Sequence, residues 1–79
     1  MSDPVDLRRI DAAQNMRRFY HMSVQPGLFG DVALVRQWGR IGTRGQSMKE
    51  WFDDEAAAEA ACDTLSKRKQ RRGYSGVSR

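Results

Sequence analysis

The stretch QWGRIGTRGQ, residues 37–46, holds the side chains best suited to chemistry with an anionic partner. Arg40 and Arg44 carry planar, forked donors that match the geometry of a phosphate group. Trp38 offers a flat ring on which a base or sugar can stack, an interaction worth ~1–3 kcal/mol per base. Three glycines permit positive φ, close backbone approach and an anion-binding nest of amides: Gly39, Gly42 and Gly45. Together these parts suit the end or edge of a nucleic acid.

Each of these side chains also has a structural interpretation. Trp38 could pack in the core, because burying a Trp removes about 150–250 Å² from water and so small a chain needs every large apolar residue. Arg40 could hold the loop by bonding to its carbonyls. Arg44, in the middle of the loop, is expected to be exposed and available for a contact.

Positive and negative charges are segregated along the chain, whose net charge is +4. The segment from Arg36 to Lys49 and the segment from Thr64 onward contain cations and no acid. Segregation of this kind creates a local positive field that favours an anionic partner. The candidate phosphate contacts outside the glycine loop are Lys49, Arg68, Lys69, Arg71 and Arg72. A basic helix end can also serve only to complement the helix dipole.

Alternating and helical periodicities predict the elements that must position these residues. Strands are expected at Arg17–Gln25, Val32–Trp38 and Gln46–Phe52, with a weaker signal at Val5–Asp11. The segment Pro26–Asp31 carries turn residues and should connect the first two of these strands as an antiparallel hairpin. Alternation places Tyr20, Met22 and Val24 on one face of the sheet.

A helix is expected from Asp53, as N-cap, to Arg72, because the segment lacks Gly and Pro and its charges complement the dipole. Its thin apolar stripe requires the helix to lie close to the sheet; the stripe comprises Ala58, Ala61, Cys62 and Leu65. Continued, the stripe reaches Arg68, Lys69 and Arg72, whose long side chains could extend toward the sheet. The predicted fold is α+β: an antiparallel sheet of three to five strands with one long C-terminal helix packed against it.

Composition limits the remaining possibilities. Seventy-nine residues suggest one domain over 1–79, with a core at about 15–74, an extra strand in 1–14 and a tail at 75–79. The single cysteine, Cys62, excludes an internal disulfide and suits a reducing, cytoplasmic location. No apolar run approaches the ~20 residues of a membrane span. His21 and Cys62 are interpreted as structural, so we expect no catalytic constellation, metal, cofactor or small-molecule substrate.

The same motifs resemble the WGR domain. The resemblance rests on WGRIGTRGQ, on FY at Phe19–Tyr20, on ALVRQ, and on an alanine-rich helix ending in KRKQRRGY, and it covers Asn15 to Tyr74. In eukaryotes this domain accompanies the catalytic domain of DNA-damage-dependent poly(ADP-ribose) polymerases and binds DNA ends. In bacteria it occurs in short stand-alone proteins, and the chain is similar to these.

The resemblance implies roles for individual residues. Trp38 would pack against a terminal nucleotide, and Arg40 would be the motif arginine that links DNA binding to neighbouring domains. Lys69 is similar to a lysine late in the family's helix, and Tyr74 to the aromatic residue that follows it. The chain has no room for a transferase domain, which leaves the interdomain role of Arg40 without a partner.

Two functions therefore stay open at this point. The first is a non-enzymatic module that binds nucleic acid, preferring DNA ends or breaks. The second is a protein–protein adaptor that uses the same loop with an acidic partner, because Trp and Arg are enriched in both settings. A small enzyme is disfavoured, since no paired carboxylates, histidine pair or activated nucleophile is visible.

Overall fold

The computed structural model describes residues 4–76 as one five-stranded antiparallel sheet with a helix packed on one face. The strands are β1 (Val5–Asp11), β2 (Met16–Pro26), β3 (Val32–Arg40), β4 (Gln46–Phe52) and β5 (Ser75–Gly76). Their order across the sheet is β4-β3-β2-β1-β5. The helix α1 spans Glu55–Arg71, and a short 3-10 turn, Ala12–Gln14, joins β1 to β2. The α+β architecture predicted from the sequence is confirmed.

The hairpin of β2 and β3 forms the centre of the sheet. Residues 27–31 connect the two strands, and the register pairs Val24 with Leu34 and Tyr20 with Trp38. Tyr20, Met22 and Val24 share one face of the sheet, as predicted; this is the face that α1 covers, and all three are buried.

The core lies between this face of the sheet and α1. Its members are small or aliphatic on the helix and larger on the sheet: Leu7, Tyr20, Met22, Val24, Val32, Leu34, Ala58 and Cys62. Ala58 is fully buried, so α1 approaches the strands closely, as the thin stripe of small side chains predicts. None of the helical segments in residues 4–76 has the length and hydropathy of a membrane-spanning helix.

The N-cap of α1 is one residue later than predicted. Asp54, with extended φ and ψ, accepts a hydrogen bond from the amide of Ala57 at 2.8 Å. The prediction of Asp53 was therefore wrong, because adjacent aspartates are equivalent in sequence and only the path of the chain from β4 selects between them.

The strand β3 is also longer than predicted. Arg40 pairs with Arg18 on β2, and the amide of Ile41 donates to the carbonyl of Arg17 at 2.9 Å. Trp38, Gly39 and Arg40 are consequently strand residues, and only residues 41–45 form the turn to β4. Because β2 is long, β3 continues to pair with it past Gly39, the first glycine of the motif.

Both ends of the described chain join the sheet. Val5–Asp11 pairs with β2 in the same molecule, and Leu7 contributes to the core. After α1, Gly73 adopts φ +100° and turns the chain back, so that Ser75 and Gly76 pair with β1. The sequence assigned these two residues to a tail; residues 77–79 of that tail lie outside the described part.

Candidate nucleic-acid interface

A cleft of about 550 Å³ opens at the end of the sheet where β2 begins and β3 ends. The residues of α1 and of the segment that follows it close one side of the cleft. The lining combines aromatic and cationic side chains with polar groups from the turn before β2: Gln14, Asn15, Met16, Arg17, Arg18, Tyr20, Trp38, Gly39, Arg40, Lys69 and Tyr74. Within this described lining there is no carboxylate and no histidine.

Aromatic rings form the floor of the cleft. Trp38 lies opposite Tyr20 in the register of β2 and β3, and the two rings stack with centroids 5.8 Å apart and planes 17° apart. Tyr74 meets Tyr20 edge to face at 6.4 Å. Tyr20 is buried, whereas Trp38 is half-buried. Trp38 is therefore both a core-packing residue on its Tyr20 side and a part of the cleft lining.

Lys69 extends from the last turns of α1 over these rings. Its ammonium lies 4.5 Å from the ring centroid of Tyr20 and 5.6 Å from that of Tyr74, which is cation–π geometry. Because α1 packs so closely on the sheet, the aliphatic part of the Lys69 side chain is long enough to carry the ammonium to β2.

The electrostatic environment of Lys69 is positive. Burial of the ammonium is the main factor that lowers the pKa of Lys69, and nearby cations lower it further: Arg72, Arg36, Arg18 and Arg68. Rings compensate a cation less completely than a carboxylate does. An anion that entered the cleft would relieve this repulsion between cations, so the electrostatics of the cleft favour the binding of an anion.

Arg36 supports the floor of the cleft from the side of β4. Its Nη1 donates to the hydroxyl of Tyr20 at 3.3 Å, and its Nη2 forms an ion pair with Glu50 and contacts the sulfur of Met48 at 2.8 Å. The Nε of Arg36 is buried without a hydrogen-bond partner in the described residues. This arginine holds the Tyr20 ring in place and its charge is largely compensated by Glu50.

The turn at residues 41–45 is packed against the end of β3. A Cβ on Gly39 would lie 2.6 Å from the Cα of Gly45, so this position admits no side chain while the turn keeps its course. Thr43 closes the turn through its amide and hydroxyl, which both donate to the carbonyl of Arg40, at 3.1 and 2.7 Å. The turn is thus a compact structure, and Arg40 lies at its base beside the cleft.

Comparison with known proteins identifies the family. Residues 4–79 match the WGR domain. The chain belongs to the WGR domain family. WGR domains are binding domains, and in poly(ADP-ribose) polymerases they are associated with nucleic acid.

The WGR domain described here has a relative in Sinorhizobium fredii, the uncharacterized protein y4dW. The two sequences are 47% identical over 68 residues, which cover 86% of the chain and 33% of y4dW. The chain therefore spans about a third of the length of this relative. No solved structure matches the chain.

The structure of this WGR domain brings together four of the residues singled out in the sequence. Trp38, Arg40, Lys69 and Tyr74 all line the cleft. The other five lie outside the lining: Arg44, Lys49, Arg68, Arg71 and Arg72.

The positions of these five follow from the local geometry. Arg44 is exposed in the turn, where its carbonyl accepts a hydrogen bond from Gln37 at 2.7 Å. Lys49 lies on the opposite face of the sheet, over the ring of Trp51 at 5.5 Å, because it alternates with Glu50 along β4. Arg68, Arg71 and Arg72 are exposed around the end of α1.

Several residues of the WGR cleft were not anticipated from the sequence. Tyr20, Arg17 and Arg18 line it together with residues 14–16. A signal for Tyr20 existed: a hairpin closed by residues 26–31 sets Tyr20 opposite Trp38, and alternation already grouped Tyr20 with Met22 and Val24 on one face of the sheet. Arg18 follows from the same register, since it lies opposite Arg40.

The described residues contain no group of three or more His, Cys, Asp or Glu side chains that could hold a metal ion. His21, on the open face of the sheet, makes a hydrogen bond through its Nδ1 with Asp6 on the neighbouring strand. Cys62 is buried in the core, where burial, followed by Asp63 and Glu59, raises the pKa of its thiol. Both residues lie away from the cleft lining.

Proposed function

We propose that the chain is a nucleic-acid-binding module that recognises the end of a DNA duplex through the cleft. The observation that carries this proposal is the ammonium of Lys69, which contacts two aromatic rings and is surrounded by arginines in a cleft whose lining, among residues 4–76, includes no carboxylate. A phosphate would form charge-assisted hydrogen bonds with the Lys69 ammonium and supply a negative charge beside the surrounding cations. Membership of the WGR family supports the same conclusion.

Each cleft residue has a distinct role in this proposal. Trp38 lies flat against Tyr20 and stacks with its remaining surface on the terminal nucleotide, a contact that an uninterrupted duplex does not offer. Arg40 and Lys69 bind the phosphate at the end of the strand. Arg17 and Arg18 extend the positive lining toward the next phosphates of the backbone.

The proposal is tested by fluorescence anisotropy with two DNA probes. One is a short duplex with 5′-phosphorylated blunt ends, and the other is the same duplex closed at both ends by hairpin loops. We expect the open duplex to bind at least ~10-fold tighter, with the preference retained between about 50 and about 200 mM salt. With four to six phosphate contacts, the log–log slope of affinity against salt should be roughly −4 to −5.

Two matched pairs of variants locate the binding to the cleft. Trp38→Ala should abolish the preference for open ends, whereas Trp51→Ala, an exposed tryptophan outside the cleft lining, should retain it. Arg40→Ala should weaken end binding more than Arg44→Ala, because both arginines are exposed but only Arg40 lines the cleft. Equal effects within each pair would contradict the assignment.

The alternative function is an adaptor that binds an acidic protein through the same cleft. Cations and aromatic rings are also typical of hot spots in protein interfaces. The two functions are separated by the probes above: an adaptor would bind both duplexes equally and weakly, and that binding would vanish at the higher salt.

A further inference from the structure

The loop that connects β2 to β3 exposes apolar side chains at the end of the molecule farthest from the cleft. Leu28 and Phe29, at the centre of this loop (residues 27–31, the tip loop), are 91% and 92% exposed. Trp51, which is 55% exposed, lies at the base of the same loop, since a Cβ on Gly27 would be 2.8 Å from its Cζ3. Single exposed apolar residues are ordinary, but three large ones together indicate an interaction surface.

The tip loop and the cleft are at opposite ends of β2. The strand begins at the cleft with Met16 and ends at the tip loop with Pro26, a distance of ~33 Å for eleven residues. The longest dimension of the described molecule is 46 Å. One molecule therefore cannot bring its own tip loop to its own cleft.

Acidic and basic residues are also separated along the long axis of the molecule, between the tip-loop end and the cleft end. The segments 23–35 and 50–63 form the tip end and contain seven acids and no Lys or Arg. The segments 14–20, 36–49 and 64–76, which form most of the cleft end, contain eleven Lys or Arg and no acid. The helix contributes to both, because its first turn carries Glu55 and its last turn carries Arg68, Lys69 and Arg71. The two ends are electrostatically complementary.

We infer that the tip loop of one molecule docks in the cleft of a second copy of this chain. Phe29 would enter the cleft and pack on the rings of Trp38 and Tyr20, and the acids beside the tip loop would face the arginines at the rim. A volume of about 550 Å³ accommodates a phenylalanine side chain with its neighbours. The seven acids at the tip end argue against an anionic lipid surface or a nucleic acid as its partner.

This contact is head to tail, so every assembly keeps one free tip loop at one end and one free cleft at the other, and short open chains of molecules result. A contact through one loop is small, and we expect a weak Kd, in the range of about 10 to about 500 µM. Competition between this docking and DNA for the cleft rests on the function proposed above. The docking itself depends on the tip loop and the lining of the cleft, and not on DNA binding.

Sedimentation equilibrium of the full chain at low salt is the primary test. The average mass of the wild type should rise with concentration over about 10 to about 500 µM and fall again when salt is added. Phe29→Ser and Arg40→Glu should each remain monomeric. The first removes the apolar side chain of the tip loop, and the second reverses a charge in the lining of the cleft. Ile10→Ser, a control at another exposed apolar side chain (61% exposed), should associate like the wild type.

Mixing the two monomeric variants tests the head-to-tail arrangement. Phe29→Ser keeps an intact cleft and Arg40→Glu keeps an intact tip loop, so an equimolar mixture should form one-to-one dimers and nothing larger. All of these positions are exposed in the single molecule, so the substitutions should leave the fold intact, and circular dichroism of each variant checks this. A wild type that stays monomeric, an Arg40→Glu variant that self-associates, or a mixture without dimers would overturn the inference.

The blunt duplex distinguishes failure of this inference from failure of the proposed function. If both are correct, adding the duplex dissociates the wild-type oligomers. Self-association that the duplex leaves unchanged would contradict the DNA-binding function alone. End binding in a protein that remains monomeric, with unchanged affinity in Phe29→Ser, would contradict only the docking of the tip loop.

Discussion

Replacing Tyr20 tests the arrangement of rings beneath the cleft. The ring of Tyr20 stacks on Trp38, meets Tyr74 edge to face and lies under the ammonium of Lys69. An aromatic pair is worth ~0.5–1.5 kcal/mol and a partly desolvated cation–π contact ~0.5–2 kcal/mol. Tyr20→Leu keeps an apolar side chain but loses these contacts, and we expect it to lower the free energy of unfolding by about 2–4 kcal/mol.

Tyr20→Phe is the matched control, because it retains the ring and removes only the hydroxyl. That hydroxyl accepts a hydrogen bond from Arg36 at 3.3 Å, so the expected cost is ~0.5–1.5 kcal/mol. Urea unfolding followed by circular dichroism gives both values, provided that the slope m is unchanged between variants.

A double-mutant cycle isolates the contact between the ring and the cation. Lys69→Met removes the charge and keeps the length of the side chain. Combined with Tyr20→Leu, it should show a coupling free energy of ~0.5–2 kcal/mol, since each single change already removes the shared interaction. Additive effects, or equal losses in Tyr20→Leu and Tyr20→Phe, would refute the cation–π explanation of the position of Lys69.

Three further predictions follow from individual contacts. The lowered pKa of Lys69 means that the unfolded chain binds more protons than the folded chain between that lowered value and the ordinary lysine value. Stability should therefore rise with pH through this window, and urea unfolding at several pH values should show a smaller rise in Lys69→Met. Gly39→Ala should cost ~1–3 kcal/mol, measured by thermal unfolding, because its Cβ would lie 2.6 Å from the Cα of Gly45. Burial is the main factor that raises the pKa of Cys62, so its reaction with a thiol reagent should be slow in the folded protein and accelerate in urea in step with unfolding.

Local pattern was sufficient to predict most of the fold. Alternation identified the strands and the residues of β2 that share a face, and the absence of Gly and Pro with ordered charges identified α1. Errors occurred at boundaries, where a long-range contact decides the outcome. Asp54 rather than Asp53 caps α1, and β3 continues to Arg40, because the neighbouring strands fix the path of the chain.

The candidate site was predicted in part, for a physical reason. Trp38, Arg40, Lys69 and Tyr74 were named from the sequence, and the structure gathers them in one cleft. Lys49 was placed with them by charge alone, although alternation along β4 puts it on the other face of the sheet. A run of cations shows where charge is concentrated along the chain, and only the register of the strands shows which charges converge.

The pairing of β5 with β1 brings the two ends of the described chain to one edge of the sheet. Leu7 and Gly76 lie opposite each other on adjacent strands, so the chain enters and leaves the fold at neighbouring points. A domain whose two ends lie close together can be inserted into a surface loop of another protein without moving apart the residues that flank the insertion. The same edge would let this fold be inserted as a unit into another protein, because the described lining of the cleft comes from β2, β3, α1 and the adjoining connections and includes no residue of β1 or β5.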